Sequence, residues 1–295
     1  MSEEAICIDL MHLGLEGAIG SYLLPGPEPT LVDPGPSTTL ERLRGRLADL
    51  GIGADDLRHV ALTHVHLDHA GATGHLVELF PNAVVHVHAE GATHLVDPTR
   101  LVASTRRTFG DAHDRLWGEV RAVPRDRIRA WEPGTRGPWR RLRPLPTPGH
   151  IRHHLGWLDE GDGTLYAGDA MGIILSPDAP THPATPPPAV DLRAWEETLK
   201  AIEGVGPERF GVAHFGFHGN VRARCRLLQE RLDALEARVR VALEVGDPED
   251  AARYEREVRD ELASHVGRER VDSYFDTFGA ATDWAGVEFY VERNP

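Results

Sequence analysis

The stretch Thr63-His64-Val65-His66-Leu67-Asp68-His69-Ala70-Gly71 constrains this chain more than any other, because three histidines and an aspartate fall within six positions. It follows directly on the apolar run Val60-Ala61-Leu62, which reads as a buried strand able to hold the next loop rigidly. Neutral imidazole and carboxylate suit zinc, iron or manganese, and the lack of a neighbouring cysteine argues against a thiolate site. Other parts of the chain must then supply further ligands, the substrate pocket, or both.

Before that stretch, Ile6 to Ile8, Ala18 to Leu24 and Thr30 to Val32 read as short strands in an antiparallel meander. The turn Asp33-Pro34-Gly35-Pro36-Ser37 leads to a helix over 39–50, with Leu40, Leu43, Leu47 and Leu50 on one face and Ser37 as its expected cap. Asp33 either belongs to that turn or supports a metal ligand from behind. After the motif, a helix over 71–80 and a strand over 83–88 are expected; His86 and His88 share one face of that strand and read as packed, structural histidines. The segment 97–120 is a candidate lid or pocket wall, the plain alternative being a helix packed outside the sheet.

Short strands return at 128–131, 141–145, 155–158 and 164–167. Pro146-Thr147-Pro148-Gly149-His150 turns out of one and presents His150, and Gly168-Asp169 leaves a carboxylate at the mouth of another. The proline-rich stretch 176–188 reads as a surface excursion. A helix over 192–202 and a strand over 209–213 follow, and that strand ends at His214. From Val221 onwards the pattern is helical, over 221–245, 248–265 and 271–278.

Lys+Arg 32 against Asp+Glu 46 in 295 residues gives a net charge of −14, which would repel a phosphate backbone or an anionic membrane. The arginine-rich region 121–143 is broken by prolines and tryptophans and reads as solvated surface. No secretory signal or membrane span is evident, and two distant cysteines, Cys7 and Cys225, indicate a reducing, cytoplasmic setting.

The ordered series His-x-His-x-Asp-His, Pro-Gly-His, Gly-Asp and a last His resembles the metallo-beta-lactamase superfamily, over about residues 5 to 220. That resemblance implies an α/β fold, the four-layer alpha/beta-beta/alpha sandwich, with residues 1–220 catalytic and 221–295 a helical C-terminal extension packing on or roofing the site. By the same resemblance His64, His66 and His150 would hold one ion, Asp68, His69 and His214 a second, and Asp169 would bridge them. Two divalent ions are expected, zinc first, with iron or manganese as alternatives. Asp68 is the expected catalytic residue, a proton shuttle. The implied activity is hydrolysis of a small ester, thioester or lactone by a metal-bridging hydroxide, as in the glyoxalase II-like branch. Competing readings are a phosphodiesterase, a non-catalytic binding module, and a mononuclear iron oxidoreductase like the persulfide dioxygenases, matching His64, His150 and Asp169. His153, His154 and His218 read as supporting or surface residues. The expected partner is a small-molecule substrate, with no nucleic acid or membrane, and the C-terminal helices are candidates for a homodimer contact.

Overall fold

The computed structural model describes residues 4–132 and 142–294. The chain divides into two compact units, Met1–Leu145 with Leu155–Gly161, and Pro146–His154 with Asp162–Pro295.

In the first unit six strands lie in one sheet in chain order: β1 (Ile6–Asp9), β2 (Gly20–Leu24), β3 (Thr30–Val32), β4 (His59–Ala61), β5 (Val84–His88) and β6 (Ile128–Trp131). The first three form the expected antiparallel meander, and β3 to β6 run parallel. The change follows from the connections. Glycine and proline turns join β1 to β3, whereas a parallel neighbour needs a crossover long enough to return the chain. Helix Leu40–Asp49 makes the first crossover, the short helices Leu67–Ala70 and Thr73–Leu79 the second, and Ala89–Val96, Thr99–Phe109 and His113–Trp117 the third. Leu43 and Leu47 of the first of these are fully buried, as their spacing requires. Two further strands, β7 (Leu142–Pro146) and β8 (Leu155–Asp159), belong largely to this unit; Arg141, the expected start of β7, and the middle of the arginine-rich region lie outside the described residues.

Ser37 does not cap the helix after it. The helix starts through a 3-10 turn over Ser37–Thr39, and the Ser37 hydroxyl donates to Trp117 O (2.8 Å), as Thr38 Oγ1 does to Leu116 O (3.0 Å). These bonds tie down the end of the segment 97–120, whose Leu116 and Trp117 are buried, with Trp117 stacked on His12. Helix Thr99–Phe109 in the same segment buries none of its residues.

In the second unit β10 (Arg209–Val212) lies between β9 (Thr164–Gly168), to which it is parallel, and β11 (Gly216–His218), to which it is antiparallel. Helix Leu192–Val205 makes the β9 to β10 crossover, capped by the Asp191 carboxylate on Ala194 N–H (3.0 Å). Four helices follow, Val221–Val245, Asp250–Val266, Arg268–Phe275 and Ala280–Arg293. The sequence reading missed the last, since its small residues and scattered aromatics give no clear stripe. Asp250 knits the tail together, accepting two bonds from Arg238 (2.8 and 2.9 Å) and one from Trp284 Nε1 (2.9 Å). The stretch 176–188 is not wholly a surface excursion, because Thr181, His182, Ala184 and Thr185 are buried. Among the described residues no helix is long and apolar enough to cross a membrane.

Candidate functional site

Parallel strands leave their carboxyl ends facing one way, and in such sheets loops that bind ligands leave from those ends. In the first unit β3 passes into Asp33 and β4 into Thr63–His69. Asp33 adopts a left-handed backbone (φ 49), which aspartate tolerates better than most residues, and its carboxylate turns onto the neighbouring strand end. Oδ1 accepts from Thr63 N–H (2.8 Å), while Oδ2 accepts from the Thr63 hydroxyl (2.6 Å) and from His69 Nδ1–H (2.9 Å). The hydroxyl has only one proton and gives it to Asp33, so at 3.1 Å from His64 Nδ1 it acts as acceptor. Both His64 and His69 therefore carry the proton on Nδ1 and the lone pair on Nε2, the tautomer a metal needs when it binds through Nε2.

His64 and His69 are completely buried, His66 and Asp68 half-buried. The His64 ring lies 4.5 Å from that of His66 and 4.1 Å from that of His69, between centroids. His69 Nε2 stands 3.6 Å from Asp68 Oδ2. A lone pair directed at a carboxylate oxygen is repulsive unless a cation accompanies it.

The second unit repeats the device with other parts. Gly149 (φ +143) lets the turn before His150 press onto helix Leu192–Val205, where a Cβ would meet Trp195 Cβ at 2.5 Å. Thr198 Oγ1 donates to Pro148 O (2.5 Å) and Asp191 N–H to Gly149 O (2.8 Å), fixing that turn. His150 Nδ1–H donates to Ala184 O (2.7 Å). A carbonyl has no proton to return, so the His150 lone pair is on Nε2, which lies 3.3 Å from Asp169 Oδ2. The other oxygen, Oδ1, is 3.8 Å from His214 Nε2. Asp169 thus directs each oxygen at a different imidazole. All three residues are buried.

Asp169 is itself oriented from behind. Its N–H donates to His154 Nε2 (3.2 Å), and His154 Nδ1–H donates to Thr147 Oγ1 (2.7 Å), which makes His154 the supporting residue the sequence suggested. The loop carrying His214 is clasped by Ile174, whose N–H donates to His214 O (2.5 Å) and whose O accepts from Phe215 N–H (3.1 Å). His218 Nε2–H donates to Phe215 O (2.8 Å) in the same loop. Tyr274 and Phe278 stand edge-on to the His214 ring, at centroid distances of 6.0 and 5.0 Å.

His64 and His69 in the first unit and His150 in the second thus hold the proton on Nδ1 and the lone pair on Nε2, and imidazole and carboxylate donors of this kind suit a divalent cation such as zinc, iron or manganese. His86 and His88 are structural, as expected. His86 accepts from Trp131 Nε1 (3.1 Å) and contacts His59 (3.0 Å), and burial lowers its pKa to about 3, helped by His59 and Arg129. His88 Nδ1 accepts from Glu90 N–H (3.1 Å) and caps a helix. Sequence reasoning missed the supports Thr63 and Ala184. Thr63 was detectable as the residue between a strand and the motif, whereas a main-chain carbonyl has no sequence signal.

The family model of the metallo-beta-lactamase superfamily matches residues 17–214. The metallo-beta-lactamase fold-containing protein ST1585 of Sulfurisphaera tokodaii is 30% identical over 168 residues, a match spanning 55% of this chain and 62% of that protein. Its crystal structure superposes with a TM-score of 0.64 at 24% identity, over 80% of this chain and 87% of that one. The metallo-beta-lactamase family protein TTHA1429 of Thermus thermophilus gives a TM-score of 0.58 at 26% identity, over 94% and 89% of the two chains. A structure of TTHA1623 in a di-iron-bound form gives 0.54 at 23%, over 72% and 94%.

Proposed function

The chain belongs to the metallo-beta-lactamase superfamily and has its α/β sandwich fold with a helical extension, and from that premise we propose that it is a dinuclear metal-dependent hydrolase of a small ester, thioester or lactone. The observation that carries the reading occurs once in each unit. A histidine whose proton is fixed on Nδ1 turns its Nε2 lone pair towards a carboxylate oxygen, at 3.6 Å for His69 and Asp68 and 3.3 Å for His150 and Asp169. In this reading one ion takes His64, His66 and His150, which group with Asp169, and the other Asp68, His69 and His214; that Asp169 serves both is what the family resemblance implies.

Bound there, two divalent ions would supply Lewis acidity and a water acidified from a pKa of 15.7 to roughly 7. The residues do the remainder. Asp33 and Thr63 hold the His64 and His69 rings, and His154 holds the Asp169 backbone. Asp68 is the more exposed carboxylate of the set and receives and passes on the proton released during hydrolysis. Tyr274 and Phe278 give His214 an apolar flank, which suits the acyl part of an ester or thioester and keeps bulk water from it.

Zinc is the first choice of metal; the donor set and the di-iron form of TTHA1623 both keep iron as the alternative. The acidic balance supports a small molecule rather than nucleic acid as substrate, the sparse cysteines support a cytoplasmic setting, and the C-terminal helices are the face we assign to pairing with a second copy. Elemental analysis together with a screen over thioesters, lactones, phosphodiesters and beta-lactams tests the proposal. Two equivalents of metal with ester-type turnover are expected; one iron per chain with oxygen consumption would replace the reading by a dioxygenase.

A further inference from the structure

His150 owes its tautomer to Ala184 O, so whatever places Ala184 also places the lone pair on His150 Nε2. Ala184 lies in the buried stretch 181–185, and that stretch is anchored from outside the residues matched to the family, by helix Ala280–Arg293. Asp283, a buried carboxylate of that helix, accepts at Oδ1 from Thr185 N–H (2.6 Å), and its main-chain O accepts from Thr185 Oγ1–H (3.0 Å). Its Oδ2 lies 3.2 Å from His182 Nε2. The bonds from Asp283 thus fall on residues just before and just after Ala184. His182 is also joined to Ile173 by a reciprocal pair of main-chain bonds (2.8 and 2.9 Å), which ties the stretch to the loop following Asp169.

Gly286 adds an independent constraint. It sits three residues beyond Asp283, on the same helical face. A Cβ there would overlap Thr185 O, so the stretch lies directly on the helix backbone. A carboxylate is costly to bury without compensation, and here a backbone N–H and an imidazole of one short segment compensate it. That geometry holds a carbonyl in place far better than a solvated loop would.

We propose that Asp283 is a positioning residue for the metal ligand His150, acting through Thr185, His182 and the Ala184 carbonyl, and that Gly286 is the close contact that makes this possible. The helical extension is then a working part of the metal site. The inference rests on the dinuclear reading above for its consequence in metal affinity, but its structural half, the His150 tautomer, stands without metal.

The test uses the full-length chain with Asp283→Asn, Asp283→Ala and Gly286→Ala. Nitrogen-15 shifts of the His150 ring report the tautomer in metal-free protein, and zinc competition titrations with cobalt(II) absorption report each ion separately. Asp283→Ala and Gly286→Ala are expected to mix the His150 tautomers and to weaken one ion by roughly 10- to 100-fold while the other changes much less, with a smaller effect in Asp283→Asn, which keeps an acceptor for Thr185 N–H. Folded variants with wild-type tautomer and both affinities unchanged would overturn the proposal and leave Asp283 a stabilising residue only. If Asp283→Ala does not fold, Gly286→Ala and Asp283→Asn decide the matter by the same readings. Failure of the dinuclear reading looks different: wild-type protein binds one ion or none, while the metal-free tautomer still reports on Asp283.

Discussion

Asp33→Asn removes one charge and changes no shape, and it isolates hydrogen bonding from backbone strain because asparagine accepts the left-handed conformation at position 33 as readily as aspartate. The carboxylate accepts three bonds, from Thr63 N–H at 2.8 Å, the Thr63 hydroxyl at 2.6 Å and His69 Nδ1–H at 2.9 Å. An amide has one oxygen and one NH2. If the oxygen faces Thr63 N–H, the NH2 meets His69 Nδ1, and relief requires moving the imidazole proton to Nε2, where it blocks the metal. If the amide flips, its NH2 meets the Thr63 N–H and a buried donor is left unsatisfied. Either way one charge-assisted bond is lost and others weaken, a cost of roughly 2 to 4 kcal/mol in stability of the metal-free chain. Loss of the supporting carboxylate is expected to weaken the ion held by His69 by about 10- to 100-fold. Urea denaturation of metal-free protein and stepwise zinc titration measure the two effects. An Asp33→Asn protein with an unchanged urea midpoint and two wild-type affinities would refute the reasoning.

Asp68→Asn should lower kcat by roughly 10²- to 10⁴-fold while some metal is retained, as expected for a lost proton acceptor; a wild-type rate would exclude that role. Phe278→Ala should raise KM by about two- to tenfold for substrates with an apolar acyl group and leave kcat nearly unchanged, since it removes an aromatic flank of His214 and no donor. His86, with its pKa lowered to about 3 in the folded chain against 6.5 unfolded, takes up its proton more readily when the chain unfolds. Its contribution to stability is therefore complete above pH 6.5 and falls with pH between 6.5 and 3, by at most about 1.4 kcal/mol per unit. Urea midpoints of metal-free protein at pH 7, 6 and 5 should fall less steeply in His86→Gln, which keeps an acceptor for Trp131 Nε1; parallel slopes would show that His86 does not contribute.

The candidate donors were legible because ligand chemistry requires particular side chains at strand ends. His64, Asp68 and His69 come as one motif, and His150, Asp169 and His214 each follow a glycine turn or an apolar strand. The meander and the parallel crossovers were legible for a related reason, since short turns and amphipathic helices leave different periodicities. What stayed hidden depends on partners remote in sequence. Ser37 resembles a cap by type and position, yet its hydroxyl goes to Trp117 O, and no local pattern encodes that choice. The stretch 176–188 has a loop's composition, but Asp283 supplies bonds from a hundred residues away that let its centre be buried.

The two units hold their histidines by the same principle with different materials, and the difference determines how each fails. His69 leans on the Asp33 side chain, so a single substitution there acts directly on the ring. His150 leans on a main-chain carbonyl, which no substitution at Ala184 removes, so its weak point moves to the residues that place the carbonyl, Asp283 and Gly286. On the proposed reading, a chain that kept all seven candidate donors but lost Asp33 or Asp283 would still show the whole motif series and yet hold a histidine less firmly in the tautomer that binds. On the dinuclear reading the motif alone therefore does not make the metal centre, and the tautomer-fixing acceptors behind the rings decide whether these histidines can bind.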